Sequence, residues 1–354
     1  MRSALPVLLF ISTFTTAAQE IHVRVDPSAP HADPGNEDRT VFPTIQNAID
    51  HHPWPAPNSL GKDGKPARVY LEVAPGTYHE RVIITQNHPN LTLIGTGRRP
   101  EDTVITNSLD AKQAGGTFFT ETVQVNGAAF QADNLTFENT AGNTGQAVAI
   151  AVRSDRAIFK HCRFLGHQDT LFADYGRQYY LDSYIEGGVD FIFGNAAAVF
   201  ERSEIHANGP GFLTAQSRTS PDQPTGYVIL SSKVSSGLEP NPPNSINMGE
   251  GSPAPIRTIF LGRPWRPYSR VVYIHTELPA DINPAGWNNW NNPANEKTAF
   301  YGEFGNTGPG ANFLSRVPWS HRRLTSEQAN QFLPQTFLRG TDNWNPIDEA
   351  ARLP

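Results

Sequence analysis

The sequence predicts an all-β parallel β-helix, a solenoid with short capping and flanking helices. Three observations carry that expectation: a short strand pattern that returns at intervals of a coil, turn residues between its copies, and helix-start signals at the two ends. The repeated unit places two core-type residues around one outward-type residue. Its copies are Leu135-Thr136-Phe137, Cys162-Arg163-Phe164, Ser183-Tyr184-Ile185, Ser203-Glu204-Ile205 and Ser232-Lys233-Val234, at steps of 27, 21, 20 and 29 residues. Spacings of this size are those of a solenoid. Val, Ile, Phe, Tyr and Thr alternate with period two in these stretches and are cut by Gly and Asn, so the repeat is read as strands rather than helices. Stacking coils of two or three short strands gives a parallel β-helix. Strand spacing alone leaves a β-sandwich or a propeller open.

The ends read as caps. Thr44-Ile45-Gln46-Asn47-Ala48-Ile49 begins with a capping residue and sets Ile45, Ala48 and Ile49 on one helical face, suited to cover the first coil. Thr325-Ser326-Glu327-Gln328 has the capping-box pattern, and Ala329, Phe332 and Leu333 follow as an apolar stripe that would lie against the coil. Between Ser235 and Pro255, Pro, Asn, Ser and Gly predominate, which predicts a long surface loop.

Composition sets the class. The 354 residues include 29 Gly and 30 Pro, short of a low-complexity chain. Residues 1–18 carry one charge, Arg2, then an apolar run from Leu5 to Ile11 and small residues up to Ala18, the pattern of a secretory signal peptide. That run is too short to span a bilayer. The expected organisation is therefore a leader over 1–18 and a single domain over 19–354, exported to the extracellular space or a periplasm, soluble and monomeric. Without Arg2 the remainder has 27 basic and 34 acidic residues, a net charge of −7 that offers nothing to nucleic acid. Cys162, the one cysteine, excludes an internal disulfide and is expected to pack in the core, since His161 beside it would point to the opposite face of a strand.

Four polar residues recur at nearly the repeat length: Thr122, Gln146, Asp169 and Asp190, at steps of 24, 23 and 21, with Gln168 beside the third. If each step is one coil, they stack on one face, because neighbouring strands lie about 4.8 Å apart. At roughly 5 Å and an effective dielectric near ~20, two unit charges repel by about 3 kcal/mol, or around two pKa units. One carboxyl would then hold its proton while the other ionises, the division an acid and a nucleophile need. Spacing alone equally allows outward loop acids or a structural polar stack. Asp190, however, sits in Val189-Asp190-Phe191-Ile192-Phe193, where an unpartnered carboxylate is costly to bury.

Five stretches resemble the pectin methylesterases: Gly76-Thr77-Tyr78-His79-Glu80, Gln146-Ala147-Val148-Ala149, Gly166-His167-Gln168-Asp169-Thr170-Leu171, Gly188-Val189-Asp190-Phe191-Ile192-Phe193-Gly194-Asn195 and Leu261-Gly262-Arg263-Pro264-Trp265. They fall in the family's order, and the likeness runs from about Thr44 to Trp344. It implies a right-handed parallel β-helix that hydrolyses methyl esters of galacturonate units in pectin, with no metal or other cofactor. By the same resemblance Asp190 is the nucleophile, Asp169 the general acid and then base, and Gln168 the main oxyanion donor. Gln146 and Thr122 resemble substrate-binding positions, Gln146 also close to the oxyanion. Arg263 resembles the arginine that keeps Asp190 ionised. Trp265, Phe172 and Phe193 resemble cleft aromatics, with core packing the alternative for the two phenylalanines. Glu80 is read as structural.

Two other functions fit the scaffold. A hydrolase or lyase of polygalacturonate would also use close carboxylates, and a non-catalytic carbohydrate-binding solenoid would account for the aromatics. Adjacent amides and an arginine favour ester chemistry. Asn90-Leu91-Thr92 and Asn134-Leu135-Thr136 are sequons, the second expected to be buried.

Overall fold

A computed structural model describes residues 20–29, 40–56, 59–61, 64–238, 258–321 and 323–354. The leader and most of the loop expected over 235–255 lie outside the described residues. The remainder winds as a parallel β-helix with three walls. Wall A is an eleven-stranded sheet that starts at Val41–Phe42 and Ile21–Val25, passes through Ala157–Lys160, Arg177–Leu181 and Ala197–Glu201, and ends at Phe300–Phe304. A twelve-stranded sheet folds round a corner to make the other two. Wall B holds Thr136–Asn139 and Arg163–Leu165, wall C holds Ile150–Arg153 and Leu171–Tyr175, and the long strands Tyr184–Gly194 and Glu204–Gln216 run through both. Every ladder between these strands is parallel, which rules out the antiparallel sandwich and propeller. Crossovers between parallel strands take the right-handed sense.

The repeat read from the sequence sets the register of wall B. Phe137 pairs with Phe164, Phe164 with Ile185, Ile185 with Ile205 and Ile205 with Val234. Because each coil repeats its neighbour one strand spacing away, like side chains stack inside. Phe159, Tyr180 and Phe200 lie face to face at 4.9 and 4.6 Å. At the corner from A to B the backbone N–H of Cys162 donates to Ser183 Oγ, that of Ser183 to Ser203 Oγ, and that of Ser203 to Ser232 Oγ, at 3.2, 3.2 and 3.0 Å. Cys162 is one rung of this ladder, buried, and burial pushes its thiol up.

The residue before each rung turns the corner in the left-handed conformation. Asn134, His161, Asp182, Arg202, Ser231 and His275 all have φ between 48° and 58°. Such a residue bends the chain sharply in one step, at a cost of about 1 kcal/mol when it is not Gly or Asn. Asn134 also donates its amide to Gly95 O and Gly97 O, at 2.9 and 2.8 Å, so that sequon's nitrogen is engaged inside the turn.

Both expected helices form, the first as a cap on the stack and the second against its side. Helix Ile45–His51 is capped by Thr44, whose hydroxyl accepts from Asn47 N, and it buries Ile45, Ala48 and Ile49 on the first coils. Glu80 reaches the same helix start and accepts from Ile45 N and Gln46 N, each at 2.9 Å, so its role is structural. Glu80→Ala removes two charge-assisted bonds to otherwise unpaired N–H groups and is expected to cost about 1–2 kcal/mol; a thermal unfolding midpoint equal to wild type would contradict this. At the other end, helix Ser326–Asn330 has the capping box of Thr325 and Gln328, and Ala329 and Phe332 pack with Tyr179, Val228 and Val272 on the outer face of wall A.

Candidate active site

The corner from wall B to wall C builds the site. Strand Arg163–Leu165 leaves wall B, the turn Gly166–Thr170 follows, and Leu171–Tyr175 enters wall C. Asp169 takes the left-handed conformation in that turn, with φ 63°. One coil on, Asp190 does the same at the bend of Tyr184–Gly194, with φ 50°. Gln146 bridges Gln168 and Gln168 bridges Val189, while Asp169 N donates to Val189 O at 3.0 Å. The two aspartates are thus corresponding residues of adjacent coils, and the two glutamines lie on adjacent rungs beside them. Gly187 permits the bend, since a Cβ there would stand 2.2 Å from Phe191 Cβ.

Both carboxylates are withdrawn from water, Asp169 being 9% and Asp190 5% exposed, but their partners differ. Arg263 grips Asp190 with both prongs: Nε donates to Oδ1 at 2.9 Å and Nη2 to Oδ2 at 2.6 Å. The guanidinium is itself clamped between aromatic faces, 3.9 Å from the Phe212 ring centre and 3.8 Å from that of Trp290. Burial pushes the Asp190 carboxyl up, and Arg263 opposes the rise by charge and by hydrogen bonding. Asp169 is held well above the usual carboxylate range, by burial first and by repulsion from Asp190 second. The pair titrates as a unit, with the proton favoured on Asp169.

The remaining sequence-derived residues divide. Gln146 and Gln168 are partly exposed beside the carboxylates. Phe172 and Phe193 stack on each other at 4.5 Å on the outer face of wall C and are 4% and 3% exposed. Trp265 packs on Phe193 at 6.0 Å and Phe118 on Phe172 at 5.0 Å. The two buried phenylalanines are therefore a floor, and Phe118, Trp265 and Trp290 are the rings beside it that reach solvent. Thr122 is not brought to the carboxylates. It is fully buried and its hydroxyl donates to Glu138 O at 2.8 Å. Its backbone N–H meets Val148 O, so the chain between Asn139 and Gln146 shifts the phase that a step of 24 residues had suggested.

Three residues of the site carry no signal in the ladder. Phe212 and Trp290 lie 51 residues before and 27 after Arg263, and only the fold unites them. Phe118 belongs to an exposed Phe118-Phe119 pair, which an apolar dipeptide in a polar turn could have flagged. Depth does not mark the site either. A groove of about 990 Å³ runs along the corner from A to B past Asp133, His161 and Tyr184, crossed by the ion pairs Arg202–Asp182 and Arg163–Glu101. Among the described residues no three His, Cys, Asp or Glu side chains gather as metal ligands.

What the arrangement offers is a carboxylate aimed by an arginine, a neighbouring carboxylic acid, and two uncharged amides. Such a set can attack a carbonyl, stabilise the oxyanion and protonate a leaving group.

Comparison with known proteins points the same way. A family described as Pectinesterase matches residues 35–341. Pectinesterase 31 of Arabidopsis thaliana is 40% identical over 306 residues, which cover 83% of this chain and 88% of that protein. Pectinesterase 1 of Citrus sinensis is 38% identical over 286 residues, covering 78% of this chain and 47% of that protein, so the chain spans about half of that longer relative. The solved structure of pectin methylesterase from carrot is similar with a TM-score of 0.79 and 33% identity, covering 94% of this chain and 97% of that one.

Proposed function

The chain belongs to the pectinesterase family and hydrolyses the methyl esters of pectin, and from that premise we propose how its site does so. Asp190 attacks the carbonyl carbon of a methyl-esterified galacturonate. The oxyanion that forms accepts hydrogen bonds from the Gln168 amide and from Gln146. Collapse breaks the bond to the methoxy oxygen, which takes the proton held by Asp169 and leaves as methanol. The acyl group stays on Asp190 as an anhydride. Asp169, now ionised, removes one proton from water as its oxygen attacks the same carbonyl, and collapse frees Asp190 as a carboxylate and the product as galacturonic acid, which releases the second proton of the water to solvent. Each carboxyl of the pair ends as it began.

The observation that carries this assignment is the asymmetry of the pair. Arg263 binds both oxygens of Asp190, whereas burial and repulsion from Asp190 keep the proton on Asp169. Trp265 and Phe118 border the sugar chain above the Phe172–Phe193 floor. The test is the product: methanol at unchanged chain length supports the reading, and new reducing ends or unsaturated sugars would reject it. Gln168→Ala is expected to lower kcat about a hundredfold with little change in KM, since the amide serves the oxyanion rather than the bound ester. A change confined to KM would remove Gln168 from that role.

We further propose that the protein is exported as a soluble monomer that modifies plant cell-wall pectin, with the leader cleaved after Ala18. No helix among the described residues is long and apolar enough to cross a membrane. A secreted product whose first residue is Gln19 is the expected result of N-terminal sequencing.

A further inference from the structure

The residue that follows Asp169 takes no part in the chemistry above, yet it is tied to the strand that carries Asp190. Thr170 is fully buried, and its hydroxyl donates to Glu186 O at 2.9 Å. That acceptor is not its partner in register. Leu165 pairs with Glu186 and Leu171 with Ile192, so the Thr170 hydroxyl reaches back over the width of the turn to the residue opposite Leu165. Both sides of the turn therefore close on Glu186 of the next coil, with Gln168 and Asp169 held between them. Gly166 leaves the room for this, since a Cβ there would stand 2.6 Å from Thr170 Oγ1.

Glu186 anchors the start of the turn as well. The side-chain amide of Asn208 donates to Gly166 O at 2.9 Å and to Glu186 Oε1 at 3.0 Å, and Tyr184 Oη donates to Glu186 Oε2 at 2.8 Å. Between the two ends, Gly188 N donates to His167 O at 2.7 Å.

Neighbouring coils show that the hydroxyl is not a requirement of the fold. One coil on, Phe191 stands where Thr170 does and packs against Gly187, so a ring closes that bend. One coil back the place belongs to Ala149, and two coils back to Thr122, because Val123, Ile150 and Leu171 are paired in succession. Thr122 makes the same bond, to Glu138 O, sixteen residues on in both cases. Thr122 is thus a copy of the tie at a distance from the carboxylates.

We propose that Thr170 is a positioning residue of the esterase site, whose hydroxyl closes the turn on the strand of the nucleophile and so fixes Gln168 and Asp169 at working distance from Asp190. The proposal rests on the reading of the pair as an esterase. It acts through placement alone, where a shift of about 1 Å can cost about a hundredfold in rate. Asp190 and Arg263 are the charged groups that act on Asp169, whereas His167 of the same turn answers to Glu186 and Asn208. Asp190 raises the Asp169 carboxyl only while it stays close. With the tie broken the acids move apart, that carboxyl comes down, and activity on the alkaline side is lost at lower pH.

Thr170→Val keeps the shape of the side chain and removes the hydroxyl. Methanol release is expected to show a kcat lowered about tenfold with KM little changed, and an alkaline limb of kcat/KM moved to lower pH. Thr170→Ser should recover most of the kcat. Thr122→Val loses the same kind of bond and should lower the thermal unfolding midpoint by a similar amount, with kcat and the alkaline limb where they were. An alkaline limb that does not move in Thr170→Val overturns the proposal. So does a Thr170→Ser no faster than Thr170→Val, or an equal loss of kcat in Thr122→Val. If Thr170→Val fails to fold, Thr170→Ala and Thr170→Ser differ by the hydroxyl alone and carry the same comparison. Absence of methanol from wild type would instead defeat the esterase reading, and the proposal with it.

Discussion

Asp190→Ala is expected to lower methanol release by about four orders of magnitude or more, the scale on which loss of a covalent nucleophile is felt. The variant keeps the amides of Gln146 and Gln168 and keeps Asp169, but no atom remains to attack. It also removes the repulsion that is the second cause of the raised Asp169 carboxyl, so the remaining acid moves back towards its usual range. Residual turnover would then come from water and the oxyanion donors alone. The fold is expected to survive, because Arg263 keeps its place between Phe212 and Trp290. Asp190→Asn preserves the shape of the bend and guards against a failure of the alanine variant to fold. A circular dichroism spectrum like that of wild type combined with a wild-type rate, in either variant, would remove Asp190 from the reaction.

Arg263→Gln is expected to cost about a thousandfold near neutral pH, the scale set by leaving a buried charge without its partner, roughly 3–5 kcal/mol. Its pH dependence is the sharper readout. Asp190 must be ionised to attack, so activity is lost as pH falls through its pKa. Burial raises that pKa and Arg263 holds the rise in check. Without the guanidinium the Asp190 carboxyl moves further up, and the acid limb of kcat/KM moves to higher pH. Asp169 must begin protonated, so activity is also lost as pH rises through its pKa. Arg263 lowers that one too, by charge alone, and the alkaline limb follows in the same direction. The whole profile should therefore shift upward, with partial recovery in Arg263→Lys, whose single ammonium cannot reproduce the two-pronged grip. A profile that falls in height without moving would mean that Arg263 only positions Asp190.

Much of this architecture is legible in the sequence. The triads from Leu135-Thr136-Phe137 to Ser232-Lys233-Val234 became paired rungs, because a solenoid turns sequence period directly into spatial register. The caps at Thr44 and Thr325 were legible because they depend on contacts three residues apart. Asp169 and Asp190 were legible because a step of 21 residues returns to the same place in the next coil when no loop intervenes. Thr122 shows the limit of that argument: the excursion before Gln146 broke the phase, and its hydroxyl serves the backbone of Glu138. Phe172 and Phe193 were recognised as aromatics of the cleft, but period two cannot tell a covered floor from an open wall. The clamp of Phe212 and Trp290 on Arg263 escaped entirely, since packing between distant coils leaves no mark on local pattern.

The left-handed corners at Asp169 and Asp190 have a further meaning. Their backbones are near copies, so translation by one coil would carry one acid onto the other and make them interchangeable. Arg263 comes from a later part of the chain and meets the second acid, which breaks that equivalence. Difference in role therefore arises from position along the stack, and the two senses in which a polymer can cross the coils cease to be alike. A linear, directional substrate laid along the axis has a head and a tail as far as the protein is concerned.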